Sequence, residues 1–203
     1  MASINFPESL YVMKQNWGST RLDTKFESVF GTQSVEVNPP LWSATLESDR
    51  LNENISGAWS ALIMQLKGQT NQLALWNFGR PVPIGTMRGT MTFNTTAIQG
   101  ATTLSIIAAT EGTKTLKAGD YLGFGGAVTQ QVVMVMADAT ADSGGIISVT
   151  VQPPLRNEMI ATTPITWDKP TVLFRQKQGA TSWEYTETFV SGFSLDLIED
   201  WRS

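Results

Sequence analysis

Few residues in this chain have types and spacings that could do chemistry. Gly123-Phe124-Gly125-Gly126 is the densest glycine group. A phosphate-cradling loop needs such glycines between a strand and a helix N-terminus. Here both flanks, Tyr121-Leu122 and residues 128–135, read as strand, and no Walker or dinucleotide-binding spacing occurs. A hairpin turn is the expectation. Asp138 and Asp142, followed by Gly144, could begin a calcium loop. Such a loop also wants an oxygen-bearing acid or amide at its third position and a Glu at its twelfth. Thr140 and Val149 stand there, so a solvated loop is expected. Glu184 and Glu187 fall on opposite faces of one strand and cannot form the carboxylate pair of a glycosidase. Glu199 and Asp200 stand near the end and are expected to be solvated, and Asp120 in Lys117-Ala118-Gly119-Asp120 reads as a turn former. Lys14, Arg21 and Lys25 make a weak basic cluster, read as a solvated face.

The 203 residues include no His and no Cys. That excludes the commonest general base, the commonest metal ligand, a thiolate zinc site and a disulfide framework. No catalytic residue, metal or cofactor is expected, and the chain is read as a non-enzyme. The net charge is −4, which does not suit a binder of phosphate backbones. Charged residues are 16%, against about 25% in an average domain. The surface must therefore be rich in Ser, Thr, Asn, Gln and Gly. No run of about 18 apolar residues occurs, so no membrane span is expected. The opening residues lack the basic start and apolar stretch of a signal peptide.

The elements that must position these residues are mostly strands. Gln33 to Val37 alternates, Asn38-Pro39-Pro40 breaks the pattern, and residues 41–47 alternate again with Trp42, Ala44 and Leu46 on one face. Two strands around a turn are expected. Ile55, Ala58, Trp59, Leu62, Ile63 and Leu66 recur at helical spacing, so a helix is expected over about residues 53–67. Asn52 or Asn54 could cap its start, and Gly68 stands where a closing glycine belongs. From Thr86 onward the chain turns rich in Thr, Gly and Ala. Short strands are expected at 89–93, 103–108, 121–124, 131–136 and 146–151, the spacing of a small barrel or sandwich. After Pro170 three more strands follow, at 171–175, 183–190 and 193–198, with a turn at Val190-Ser191-Gly192. The fold class is mainly β: a sandwich or barrel body with one amphipathic helix and an inserted barrel-like domain. Residues 1–85 and 171–203 form the body, and 86–170 the insert.

The aromatic residues divide by context. Trp42, Trp59 and Phe193 fall on apolar faces and are expected in the core. Trp17, Trp76, Phe78 and Trp201 lie in or beside polar sequence. Two readings stand for each: a rim packed against the protein's own core, or a place among the candidate subunit-interface residues, because desolvated Trp anchors interfaces.

Several ordered segments resemble one family. They are Phe26-Glu27-Ser28-Val29-Phe30-Gly31-Thr32-Gln33-Ser34-Val35, Leu41-Trp42-Ser43-Ala44-Thr45-Leu46, Ala58-Trp59-Ser60-Ala61-Leu62, Leu116-Lys117-Ala118-Gly119-Asp120-Tyr121-Leu122, Val149-Thr150-Val151-Gln152-Pro153-Pro154-Leu155-Arg156 and Phe193-Ser194-Leu195-Asp196-Leu197-Ile198-Glu199. Their order is similar to that of distal tail (baseplate hub) structural proteins of long-tailed phages and prophages. The resemblance implies a homo-oligomeric ring, commonly a hexamer, at the tail tip. It would join the tail tube to the hub and receptor-binding parts, with DNA passing through the lumen without specific binding. The implied location is the virion, after synthesis in the host cytoplasm. The acidic excess would suit such a lumen. The alternative is a module that binds a surface saccharide or host receptor. Between Thr86 and Lys169, however, only Phe93, Tyr121, Phe124 and Trp167 are aromatic.

Overall fold

The computed structural model describes residues 2–48, 53–177, 183–185 and 190–201. Its strands run from β1 (Ser3–Asn5), β2 (Lys14–Ser28) and β3 (Gly31–Ser48) to the helix α1 (Glu53–Leu66) and β4 (Gln72–Leu75). Then come β5 (Met91–Phe93), β6 (Thr103–Ile107), β7 (Thr115–Leu116), β8 (Tyr121–Phe124), β9 (Gln131–Val135), β10 (Ala139–Thr140), β11 (Ile146–Gln152) and β12 (Pro164–Thr166). The last are β13 (Val172–Gln176), β14 (Trp183–Tyr185) and β15 (Val190–Glu199). The protein is mainly β with one α-helix among the described residues.

Two compact units divide the chain. The first is Met1–Leu75 with Leu173–Arg202, and the second is Trp76–Val172. The first crossing therefore falls at 75/76 rather than at 85/86, and the second at 172/173 rather than 170/171. Hydrogen bonds explain the first shift. Ile84 and Gly85 donate their backbone N–H groups to the Asp120 carboxylate, and Lys169 donates its own to Pro81 O. The stiff Pro-Val-Pro stretch thus belongs to the second unit.

The first unit is a seven-stranded sheet in the order β1-β4-β13-β15-β3-β2, with β14 on β15. The alternation in residues 40–48 puts Trp42, Ala44 and Leu46 on the buried face. On β15 the partners Leu195 and Leu197 stand opposite Leu46 and Ala44. α1 covers this sheet with Trp59, Leu62, Ile63 and Leu66. Trp59 stacks on Phe193 with ring centroids 5.9 Å apart, meets Phe6 edge-on and donates Nε1–H to Tyr11 O at 3.1 Å. The expected stripe errs at one position: Ala58 is exposed. Gly68, at φ +64°, follows Lys67, itself left-handed at φ +49°. Asn71 N then donates to Leu66 O. The helix thus stops on backbone turns that suit glycine. The proposed cap Asn52 lies outside the described residues.

Two expectations fail here. Asn38-Pro39-Pro40 is no turn; β3 runs straight through it. The β2–β3 ladder skips between Thr20↔Leu41 and Leu22↔Asn38, so no ladder donor is required of either proline. The chain reverses instead at Val29-Phe30, and its partner strand β2 carries no apolar alternation that could announce it. The turn expected at Val190-Ser191-Gly192 is also absent. Tyr185 pairs Val190 and Glu184 pairs Ser191, so these residues belong to the β14–β15 ladder. Residues 186–189, where the expected strand 183–190 would continue, lie outside the described residues, and so does Glu187.

The second unit is a closed six-stranded barrel, β11-β6-β5-β12-β8-β9, with antiparallel pairs throughout. Its interior is filled by Leu104, Ile106, Leu122, Val133, Val149 and Val151, with Phe93 edge-on to Phe124 at 5.2 Å. Closure removes every free edge from these strands. Gly145 shows how tightly its corners are drawn. It sits at φ +80°, and a Cβ there would fall 2.0 Å from Ala108 O.

Candidate interaction surface

The groups that might have done chemistry are absorbed into the fold. Gly125 turns the β8–β9 hairpin at φ +75°, where a Cβ would lie 2.4 Å from Thr129 O. Asp142 Oδ1 accepts from Gly144 N and Ile146 N at 2.8 and 2.9 Å, so it shapes a turn. Asp138 accepts from Lys117 Nζ at 2.6 Å and from Ala118 N at 2.9 Å. No group of three metal-ligating side chains occurs among the described residues. Asp120 is only 1% exposed, and its carboxylate takes Ile84 N at 2.6 Å, Lys117 N at 2.7 Å and Gly85 N at 3.1 Å. Asp200, expected in solvent, is instead largely covered and lies 3.6 Å from Arg175, and Glu199, expected there too, is buried and accepts from Trp42 N at 2.9 Å. It does so just where β15 ceases to pair with β3.

The Lys117 hydrogen bond, helped by the Ala118 N–H, holds the Asp138 carboxyl below its ordinary value. A depressed folded value means a contribution present above the unfolded value and lost as pH falls through the folded one. Both groups are open to solvent, so the effect on stability is small. A carboxyl-detected titration is expected to find Asp138 titrating below an ordinary aspartate. Lys117→Gln is expected to move it upward. An unshifted Asp138 in the unaltered protein would contradict the assignment.

The candidate interface aromatics are all half-buried. In the first unit Trp17 packs on Trp42 at 5.9 Å and edge-on to Phe174 at 5.4 Å. Trp201 belongs to the same unit. In the second unit Trp76 meets Phe78 at 5.4 Å, and Lys169 Nζ lies 5.1 Å above the Trp76 ring. The barrel presents no strongly exposed aromatic side chain among its described residues. Trp167, for instance, donates to Gly89 O and carries Arg88 over its ring.

The most exposed apolar surface lies elsewhere, on the outer half of the β2–β3 hairpin. From Gly18 to Pro39 every residue whose side chain is described is exposed. β2 ends the sheet order, and β15 pairs with β3 only over Ser43–Ser48. The ribbon beyond Trp42 therefore has two strands and two open edges. Its register sorts its faces. Thr24↔Val35 and Phe26↔Gln33 occupy one face, while Asp23↔Glu36, Lys25↔Ser34 and Glu27↔Thr32 occupy the other. Val37 stands at the register shift between Leu22↔Asn38 and Asp23↔Glu36, a bulge that interrupts the two-residue period. One face thus carries the apolar Phe26 and Val35 beside Thr24 and Gln33, and the other is charged.

The charges largely satisfy one another. Lys14 pairs Glu47, Arg21 pairs Glu36 and Lys25 pairs Glu27. The expected basic cluster is therefore neutralised, and such exposed pairs contribute about 0–1 kcal/mol each. The tip is different. A two-residue hairpin connection favours Asn-Gly, whose twist matches the strands. Here Val29 and Phe30 stand there, 97% and 99% exposed. Burying each against a partner would contribute about 1.5–3 kcal/mol. Sequence reasoning passed over these residues because Val-Phe resembles strand interior. The available signal was the five-residue alternation Gln33 to Val37, on the far side of Val29-Phe30.

The architecture so defined is a mainly β chain of two units, one a filled barrel and one a helix-covered sheet with a projecting amphipathic ribbon. No protein-family model and no curated protein sequence matches the chain. Among the described residues no helix is long and apolar enough to cross a membrane.

Proposed function

We propose that this chain is a structural subunit of a phage tail, forming a ring at the tail tip that links the tail tube to the hub and receptor-binding parts. The single observation that carries the reading is the ribbon: two open edges, an apolar face and an apolar tip on one projecting element. A two-stranded ribbon is marginal in water without a further strand or a helix against it. Open edges and apolar patches of this kind are liabilities in a monomer and contacts in an assembly. The sequence resemblance to distal tail proteins names the assembly. The filled barrel, the absence of His and Cys from the sequence and the structural use of Asp120, Asp138 and Asp142 support a role in shape and contact. DNA would pass the lumen without specific recognition. Negative-stain images of the purified protein, alone and with tail-tube protein, test this. Closed rings with a central opening are expected; isolated small particles under both conditions would overturn it.

A further inference from the structure

We propose that the apolar face of the β2–β3 arm lies across the outward face of α1 of a neighbouring copy. The inference rests on the ring reading and names the contact that would hold the ring.

The arm supplies one half of the argument, and α1 supplies the other independently. Surface helices ordinarily place charged side chains on the face away from the core. From Ile55 to Leu66 this helix has no charged residue at all. Its inner face is spent on Trp59, Leu62, Ile63 and Leu66. Its outer face is Gly57, Ala58, Ala61, Met64 and Gln65, all exposed. An outer face without charge, with Gln65 its one polar side chain, is a surface suited to cover by a partner.

The two surfaces fit in chemistry, shape and length. The arm offers raised side chains, Phe26 and Val35; the helix offers a low surface of glycine and alanine bounded by Met64. The helix has 14 residues, about 21 Å at its usual rise. The arm strand from Gly31 to Val37 spans about 20 Å. Helix packing is also one of the two supports that a two-stranded ribbon needs. Both surfaces are exposed within a single chain, so the arm of one copy is matched to the helix of another. Each copy then carries one donor and one acceptor surface. Such head-to-tail contacts close into a ring when the rotation permits.

The cysteine-free sequence makes the test clean. Val35→Cys and Ala61→Cys are introduced together into the full chain, which is oxidised mildly and run without reductant. A ladder at successive multiples of the 22.2 kDa chain is expected, with neither single variant passing the dimer. In parallel, Ala61→Glu puts a charge on an exposed position, so circular dichroism should be unchanged. Its assembly constant is expected to fall at least about tenfold, as for a central interface residue. An assembled protein that gives no ladder, or an Ala61→Glu variant that assembles normally, overturns the inference and leaves the ring reading standing. A chain that stays monomeric with and without tail-tube protein overturns both.

Discussion

Asp120→Ala is expected to destabilise the barrel unit by about 3–5 kcal/mol, the scale for losing several hydrogen bonds to one buried charged group. The side chain is nearly inaccessible and receives three backbone donors, from Ile84, Gly85 and Lys117. Alanine removes the acceptor and leaves those N–H groups facing a space with no partner. Two things come apart together: the turn at 117–120 and the anchorage of the Pro-Val-Pro segment to the barrel. Asn at this position keeps the size but has only one carbonyl oxygen, so an intermediate loss is expected. For a unit of about 100 residues the alanine change corresponds to a fall in midpoint of roughly 15 °C or more. Thermal unfolding followed by near-ultraviolet circular dichroism would read it. A midpoint within a few degrees of the unaltered protein would mean that the three bonds carry little.

Trp59→Ala carries the second large effect, about 3–5 kcal/mol in the first unit. Trp59 is fully buried at the junction of α1 and the sheet, stacked on Phe193 and edge-on to Phe6. Alanine leaves a cavity beneath the helix that the flanking Leu62 and Leu66 cannot fill from their own turns. Trp59→Phe retains an aromatic ring but loses the bond from Nε1 to Tyr11 O. That substitution is expected to cost only about 1–2 kcal/mol. Denaturant titration of both variants distinguishes packing from hydrogen bonding. Equal losses in the two would contradict the packing account. Because α1 bears the proposed docking face, Trp59→Ala is also expected to weaken assembly, whereas Trp59→Phe is not.

The sequence made the barrel legible because a closed barrel sorts inside from outside with period two. Residues 146–151 show it most plainly, and β11 stands there with buried and exposed side chains in strict alternation. The helix was legible for the same kind of reason: its core face repeats at 3.6. Elements without a buried face were not legible. β2 is solvated on both sides over its outer half, so no hydrophobic period marks it. Asn38-Pro39-Pro40 suggested a turn, because the rule that proline breaks strands holds for paired strands. Here the ladder skips the two prolines and β15 has already ended at Glu199. The 190–192 turn failed because Val-Ser-Gly is also what an irregular, bulged ladder tolerates.

The candidate site was the least legible part. Trp17, Trp76, Phe78 and Trp201 are large aromatics in polar sequence, and each is half-buried within its own unit, as a rim against the core would be. Among the described residues the exposed aromatics are Tyr11, Phe26 on a ribbon face and Phe30 at its tip. Their significance comes from what fails to cover them, which only the paired register reveals. The low charge, by contrast, was read early and finds a specific location in the uncharged outer face of α1.

If this chain works as a ring subunit, as proposed, its native mass in solution tests that most directly. The account predicts one dominant species at an integral multiple of 22.2 kDa, six being the multiple the family resemblance suggests. A species at 22.2 kDa alone, unchanged by added tail-tube protein, would contradict it.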